Sequence, residues 1–389
     1  MTLVTKPIHL KILTVGACFA LVALGFGLYE EHTYSEMVKA AEAGDAQAQL
    51  DYSNALNGAG DFEGSLKWAL VAAQQGNRDA QFNAALQYEK GQGVAKNMKA
   101  AVKWYEAAAI QGDIDAQNIL GGIYQDGAGV AQDYEKSIRW YEAAANLGDA
   151  DALYELGVIF AVGEGIPQDV EKGASFYKRA FEAYLILASG GDADAQSILG
   201  DMYAEGEGVV EDKKKAFEWY EKAAKQGEVY AQFELGWAYE KGLGVQKNMR
   251  RAVGWYERAA DQGNVMAQFN LGNFYLDGNG VQQDQQKAIE LYSSAAAHDN
   301  GDAQYNLGYV YYNGIGVEKN YAEAFNWYLL AAKQGVTDAH YMVGWMYEQG
   351  QSVKKNVGSA IEWYQKAVDK GDEDAIARLK ELQKKAGVS

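Results

Sequence analysis

The chain has 389 residues, with 53 acidic against 35 basic side chains and a net charge of −18. That balance argues against nucleic acid or an anionic membrane surface as the main partner, because both call for basic surfaces. A single cysteine, Cys18, rules out a disulfide within the chain, and four scattered histidines lack metal-ligand spacing, so no metal or cofactor is expected.

Residues 1–28 read as a signal peptide or an N-terminal membrane anchor. Lys6 and Lys11 precede an apolar run of 17 residues, Ile12 to Leu28, and Glu30 and Glu31 follow it. The positive flank should stay cytoplasmic, which puts everything after it on the far side. Three fates stay open. Cleavage after Gly25 fits the small-residue rule, with Ala23 at the −3 position. The run is also nearly long enough to span as a retained anchor. Lipid processing at Cys18 fits worst, since the apolar run continues past the cysteine. The expectation is an exported chain, periplasmic or secreted, or one anchored in the inner membrane with the rest outside the cytoplasm.

Residues 29–43 match the end of a helix that recurs further on, with Ala40 and Ala41 standing where Ala223 and Ala224 stand. They read as a capping half-repeat. From 44 to 370 the chain repeats itself in about nine copies. Glycines mark the register at 76, 112, 148, 191, 227, 263, 335 and 371, with Asp299 where a glycine is due. The step is 36 residues except from Gly148 to Gly191, where it is 43. A fixed period of this size predicts a solenoid. The first copy, from Gly44, is degenerate and four residues short.

One copy, Gly227 to Gln262, displays the anatomy. Ala231, Leu235, Ala238 and Tyr239 fall on one face of a first helix. The loop G-L-G-V breaks it, with Gly242 and Gly244 expected at positive φ and Val245 tucked onto the core. Asn248 is the expected N-cap of a second helix carrying Ala252, Trp255, Tyr256, Ala259 and Ala260. Gly236 and the Ala pair let helices approach closely, while Tyr239 and Trp255, recurring in nearly every copy, fill space between layers.

The fourth copy carries the one large irregularity. Its second helix runs on through F-E-A-Y-L-I-L-A-S-G, seven residues or roughly 10 Å longer than its counterparts, with Phe181, Tyr184, Leu185 and Leu187 making it apolar. The extension packs on the neighbouring layer, or it forms a docking ridge or hinge; the residues leave both open. Ser352 replaces the second loop glycine of the last copy, and residues 371–389 form a capping helix.

The motif A-Q-x-x-L-G-x-x-Y-x-x-G-x-G-V, followed by K-A-x-x-W-Y-x-x-A-A, resembles the Sel-1-like repeat, a relative of the tetratricopeptide repeat with a longer inter-helix loop. The resemblance covers about 44 to 370. It implies an all-α fold, a right-handed α/α superhelical solenoid of helix-pair repeats, and a role as an adaptor or scaffold for other proteins. Some exported members are rich in cysteine, which this chain is not, so activities attached to that branch are not carried over.

No catalytic set stands out. S-x-x-K occurs at Ser175–Lys178 and Ser352–Lys355 without the companion elements of a serine acyl-enzyme, and the repeated G-x-G-V lacks a following lysine for phosphate. In related repeats the first helix lines the concave groove, so positions that vary among first helices are the informative ones. The position after L-G holds Gly122, Val158, Asp201, Trp237, Asn273, Tyr309 and Trp345. A place that accepts Gly, Asp and Asn is not core, so its Trp and Tyr residues are expected on the surface. Two positions after the leading Ala stand Phe233, Phe269, Tyr305 and Tyr341; one further on come Asn270 and Asn306, and Tyr312 extends the face.

The candidate partner-binding set is therefore Phe233, Trp237, Phe269, Asn270, Asn273, Tyr305, Asn306, Tyr309, Tyr312, Tyr341 and Trp345. Asparagines can hold an extended peptide backbone while aromatic rings form side-chain pockets. The same set can stack on sugars. Mutual packing of the rings is the third possibility. The expected function is a non-catalytic scaffold of the bacterial cell envelope that binds a protein or peptide, and the alternative is a module for peptidoglycan or an exported polysaccharide.

Overall fold

The computed structural model describes residues 27–163 and 165–386, which form twenty α-helices with no strand among the described residues. The predicted targeting segment, apart from Gly27 and Leu28, lies outside them. No helix among the described residues is long and apolar enough to cross a membrane.

After α1 (Gly27–Glu42) the helices alternate as first and second members of pairs. The pairs are α2 (Ala46–Gly58) with α3 (Phe62–Gln74), α4 (Arg78–Lys90) with α5 (Met98–Ile110), and α6 (Ile114–Asp126) with α7 (Tyr134–Asn146). Next come α8 (Ala150–Val162) with α9 (Val170–Ser189), α10 (Ala193–Glu205) with α11 (Lys213–Lys225), and α12 (Val229–Lys241) with α13 (Met249–Asp261). The last are α14 (Val265–Asp277) with α15 (Gln285–Ala296), α16 (Gly301–Asn313) with α17 (Tyr321–Lys333), and α18 (Thr337–Gln349) with α19 (Val357–Val368), before α20 (Glu373–Ala386). Contacts divide the chain into two compact halves, Met1–Ala180 and Phe181–Ser389, the division falling inside α9. Within each half, a first helix packs on its own second helix and on the second helix before it.

The loop chemistry works as the glycine spacing predicts. Gly242 ends α12 at φ 81°, and Gly244 sits at φ 67° with so little room that a Cβ there would lie 2.0 Å from the Lys213 carbonyl oxygen. Val245 packs against the core, and the Asn248 side chain accepts from the Arg251 N–H to cap α13. Among the described residues, the two non-glycines at positive φ are Asp299 (59°), which replaces a register glycine, and Ser352 (65°), which replaces a loop glycine. The repeat imposes the left-handed conformation, and the residue accepts its cost.

Close approach within a pair depends on one helical glycine. A Cβ on Gly236 would meet the Tyr256 ring at 2.6 Å, and Gly272 and Gly308 stand equally close to Tyr292 and Tyr328. Tyr256, Tyr292, Tyr328 and Tyr364 are fully buried, with Ala259 and Ala260 and their counterparts packed around them. Trp255 touches two successive core clusters and so fills the space between layers.

The glutamine of A-Q joins the layers by hydrogen bonds. Gln232 Nε2 donates to the Ala224 carbonyl of the preceding second helix (3.4 Å), and its Oε1 accepts from Gln262 Nε2 at the end of its own repeat (2.8 Å). Gln49 with Gln75, Gln81 with Gln111, and Gln196 with Gln226 repeat the arrangement. Buried amides of this kind cost little when both ends are bonded and much when one is not.

α9 is a continuous helix of 20 residues. In the second half its extension buries Tyr184 and Ala188 and sets Phe181 edge-on to Tyr203 at 5.3 Å, while Leu185, Ile186 and Leu187 are exposed. One side packs on its neighbours and the other faces outward.

Candidate functional site

In each first helix the recurring Ala, Gln, Leu and Gly are buried, and the intervening positions turn toward the surface. In α12 these are Phe233, Glu234, Trp237 and Glu240. Phe233, Phe269, Tyr305 and Tyr341 are half-buried, each against the inner tyrosine of its own repeat. Their ring centroids lie 5.7, 6.2, 5.4 and 5.2 Å from those of Tyr256, Tyr292, Tyr328 and Tyr364. They form a half-covered aromatic floor.

The inner tyrosines send their hydroxyls to this same face. Tyr256 donates to Glu240 (2.9 Å), Tyr292 to Asn273 (2.6 Å) and Tyr364 to Glu348 (3.0 Å). Burial drives all three phenols above their ordinary pKa, first by desolvation. Asn273 Oδ1 also accepts from Asn306 Nδ2 at 3.0 Å, and Asn270 stands near enough to Tyr256 to lower that phenol against the other influences. The three predicted asparagines are thus brought together with the tyrosine hydroxyls. Tyr328 differs: its hydroxyl is buried with no hydrogen-bond partner.

The position after L-G divides. Trp237 is 38% exposed, with Lys241 Nζ 4.4 Å from its ring centre, and Tyr309 is 46% exposed. Trp345, expected on the surface, is half-buried instead. Its Nε1 donates to the Tyr312 hydroxyl at 3.2 Å, and the Arg378 guanidinium of α20 lies 5.6 Å from its ring. The capping helix α20 follows α19, and its arginine lies beside the ring.

Charge is sorted between the two helix sets of the second half. The first helices α10, α12, α14, α16 and α18 carry carboxylates, a single lysine (Lys241) and no arginine. The second helices each carry lysine or arginine, among them Lys213 to Lys215 on α11 and Arg250 and Arg251 on α13. In the first half, Glu155 of α8 is pushed up to about 7, by burial first and then by Asp151 and Asp126. Among the described residues no cluster of His, Cys, Asp and Glu is placed to hold a metal ion. The arrangement offers rings, hydroxyls and negative charge on one face, which suits binding.

The sequence reading missed the inner tyrosine hydroxyls. The W-Y pair at a 36-residue step was the available signal, but it shows a core ring and not where the oxygen emerges.

A family model for the Sel1 repeat matches residues 78–113, 114–149, 150–184, 193–228, 229–264, 265–300, 301–336 and 337–372. The gap after 184 falls on the extended end of α9. Among solved structures, a protective antigen present in uropathogenic Escherichia coli strains, displaying an SLR fold, is 29% identical with a TM-score of 0.55, over 92% of this chain and 84% of its own. A Sel1 repeat protein from Oxalobacter formigenes is likewise 29% identical with a TM-score of 0.55, over 81% of this chain and 89% of its own. No curated protein matches.

Proposed function

The chain belongs to the Sel1 repeat family, and from that premise we propose that it is a scaffold of the bacterial cell envelope holding a protein or peptide partner on the first-helix face of its second half. Sel1 solenoids are typical protein–protein interaction scaffolds and generally non-catalytic. The observation that carries the finer reading is the exposure of Trp237 and Tyr309 at a position filled elsewhere by Gly122, Asp201 and Asn273. The fold does not need a ring there, and exposed Trp and Tyr are the residues that most often anchor an interface.

A glycan reading is the alternative, and the asparagines weigh against it. Asn273 and Asn306 are already hydrogen-bonded, Asn273 to the Tyr292 hydroxyl and the two to each other, so fewer amide groups remain for sugar hydroxyls. The envelope location rests on the N-terminal pattern of Lys6, Lys11 and the apolar run. A reporter fused after Ser389 tests it: activity confined to the cytoplasm would refute export.

The partner is sought by envelope crosslinking and mass spectrometry, and the test is then made on the partner found. Trp237→Ala with Tyr309→Ala should leave the melting temperature nearly unchanged and weaken capture by roughly 2 kcal/mol or more, as for an interface anchor. Unchanged capture would sink the groove, and pelleting with purified peptidoglycan in its place would favour the glycan.

A further inference from the structure

The layer built by α16 and α17 breaks the pattern of its neighbours. In the repeats on either side, the inner tyrosine hydroxyl finds an acceptor on a first helix: Asn273 for Tyr292 and Glu348 for Tyr364. In α16 the two corresponding positions are Tyr309 and Tyr312, and neither serves. Tyr328 is 0% exposed and its hydroxyl has no partner. A buried hydroxyl left unpaired forfeits its hydration without a replacement bond. Around it stand Tyr305 at 5.4 Å and Tyr312 at 6.5 Å between ring centres, with Trp345 bonded to Tyr312 at 3.2 Å. Tyr309, the outermost ring of the group, is 46% exposed. After burial itself, the influences that raise the Tyr328 phenol are Tyr305, Tyr312 and Tyr309, which places these hydroxyls in one cluster.

We propose that this cluster is a subsite for a cationic side chain, arginine before lysine, carried on an extended segment of the partner protein. Turning Tyr309 outward opens the Tyr328 hydroxyl, whose lone pairs accept from the guanidinium while the tyrosine and tryptophan faces hold the charge. The surroundings favour a cation. α14, α16 and α18 have no lysine or arginine, and Asp338 and Asp372 act on Tyr305. One layer on, the chain supplies such a group itself: Arg378 reaches across to Glu348, the acceptor of Tyr364, and lies beside Trp345. The subsite rests on the groove reading above and adds to it the chemistry of the occupant.

The test uses the full chain and fluorescein-labelled decapeptides of alternating glycine and arginine, with citrulline in place of arginine as the uncharged control, read by anisotropy. The arginine peptide should bind roughly tenfold or more tightly than the citrulline one. Tyr328→Phe, which changes no charge, should weaken arginine binding roughly three- to tenfold while the melting temperature of the free protein stays level or rises. Equal binding of the two peptides, equal binding to Tyr328→Phe, or no binding at all would overturn the subsite. If the crosslinked partner still depends on Trp237 and Tyr309 while Tyr328→Phe leaves its capture intact, the groove stands and the cation subsite falls. A polysaccharide held in its place would overturn both.

Discussion

Tyr292 and Tyr328 occupy the same place in successive repeats, and up to the last atom they do the same job. Both rings are 0% exposed, and both are approached by a helical glycine whose added Cβ would sit 2.6 Å from the ring. They part at the hydroxyl, which Asn273 receives in one layer and nothing receives in the other. The ring belongs to the repeat, whereas the partner of the oxygen belongs to the individual copy. Packing is therefore alike in these two layers, and chemistry is written in the few first-helix positions that packing leaves free.

The shared part breaks hardest. Tyr292→Ala and Tyr328→Ala should each cost about 3–5 kcal/mol, the range for truncating a large core ring, measured by denaturant titration. A much smaller loss in one layer would show that its ring is not core. Gly272→Ala and Gly308→Ala force a methyl into those same rings and should cost about 1–3 kcal/mol each, with matching melting shifts in the two layers.

A third inner tyrosine, Tyr141, extends the comparison to the first half, where Glu155 and Asp126 act on it without a hydrogen bond to its hydroxyl. Glu155 has a folded-state pKa of about 7, above its ordinary 4.5, so its protonated form stabilises the fold. That contribution is fully present below about pH 4.5 and is lost as pH rises through about 7. Glu155→Gln should accordingly stabilise the protein at pH 8 by on the order of 1–2 kcal/mol and have no effect at pH 4, as read by parallel melts. The gain is set below the full conversion of the shift because the side chain stays partly solvent-facing. An advantage at low pH only would reverse the sign and refute the assignment.

The smallest effect separates the two layers most sharply. Tyr292→Phe leaves Asn273 with one bond fewer and should cost about 0.5–1.5 kcal/mol, whereas Tyr328→Phe removes an unpaired group and should be neutral or stabilising. Equal losses would mean that the two hydroxyls are not different after all.

Much of this was legible in the sequence, and the reason is periodicity. Gly242, Gly244, Val245, Asn248 and Gly236 each act through neighbours close by in the chain or in the same pair, so spacing alone identified their roles. Trp345 was legible as a varying position but not as a half-buried one, because what lies beside it, Arg378, arrives from a helix outside the repeat pattern. The inner hydroxyls were hidden for a related reason. A tyrosine on a helical face reads as a ring, and the reach of its oxygen to a residue 16 or 19 positions earlier, as from Tyr256 to Glu240 or Tyr292 to Asn273, appears only once two helices are packed. The glutamine of A-Q stood in plain sight in nearly every copy, yet its acceptor lies 8 residues back and its donor 30 residues on.

That glutamine relay bears on how arrays of this kind change in length. At Gln81, Gln196 and Gln232 the amide is completed by a carbonyl 8 residues back, from the copy before, and by a glutamine 30 residues on, from the same copy. Duplicating or removing a whole copy of this kind regenerates its bonds at the new junction. An insertion or loss of any other length strands an amide between layers. Growth by whole steps is therefore the inexpensive route, and a break in the step, such as the one after Gly148, has to be absorbed where a helix can lengthen without moving the next glutamine off its carbonyl: Gln196 still donates to Ala188 beyond the extended α9.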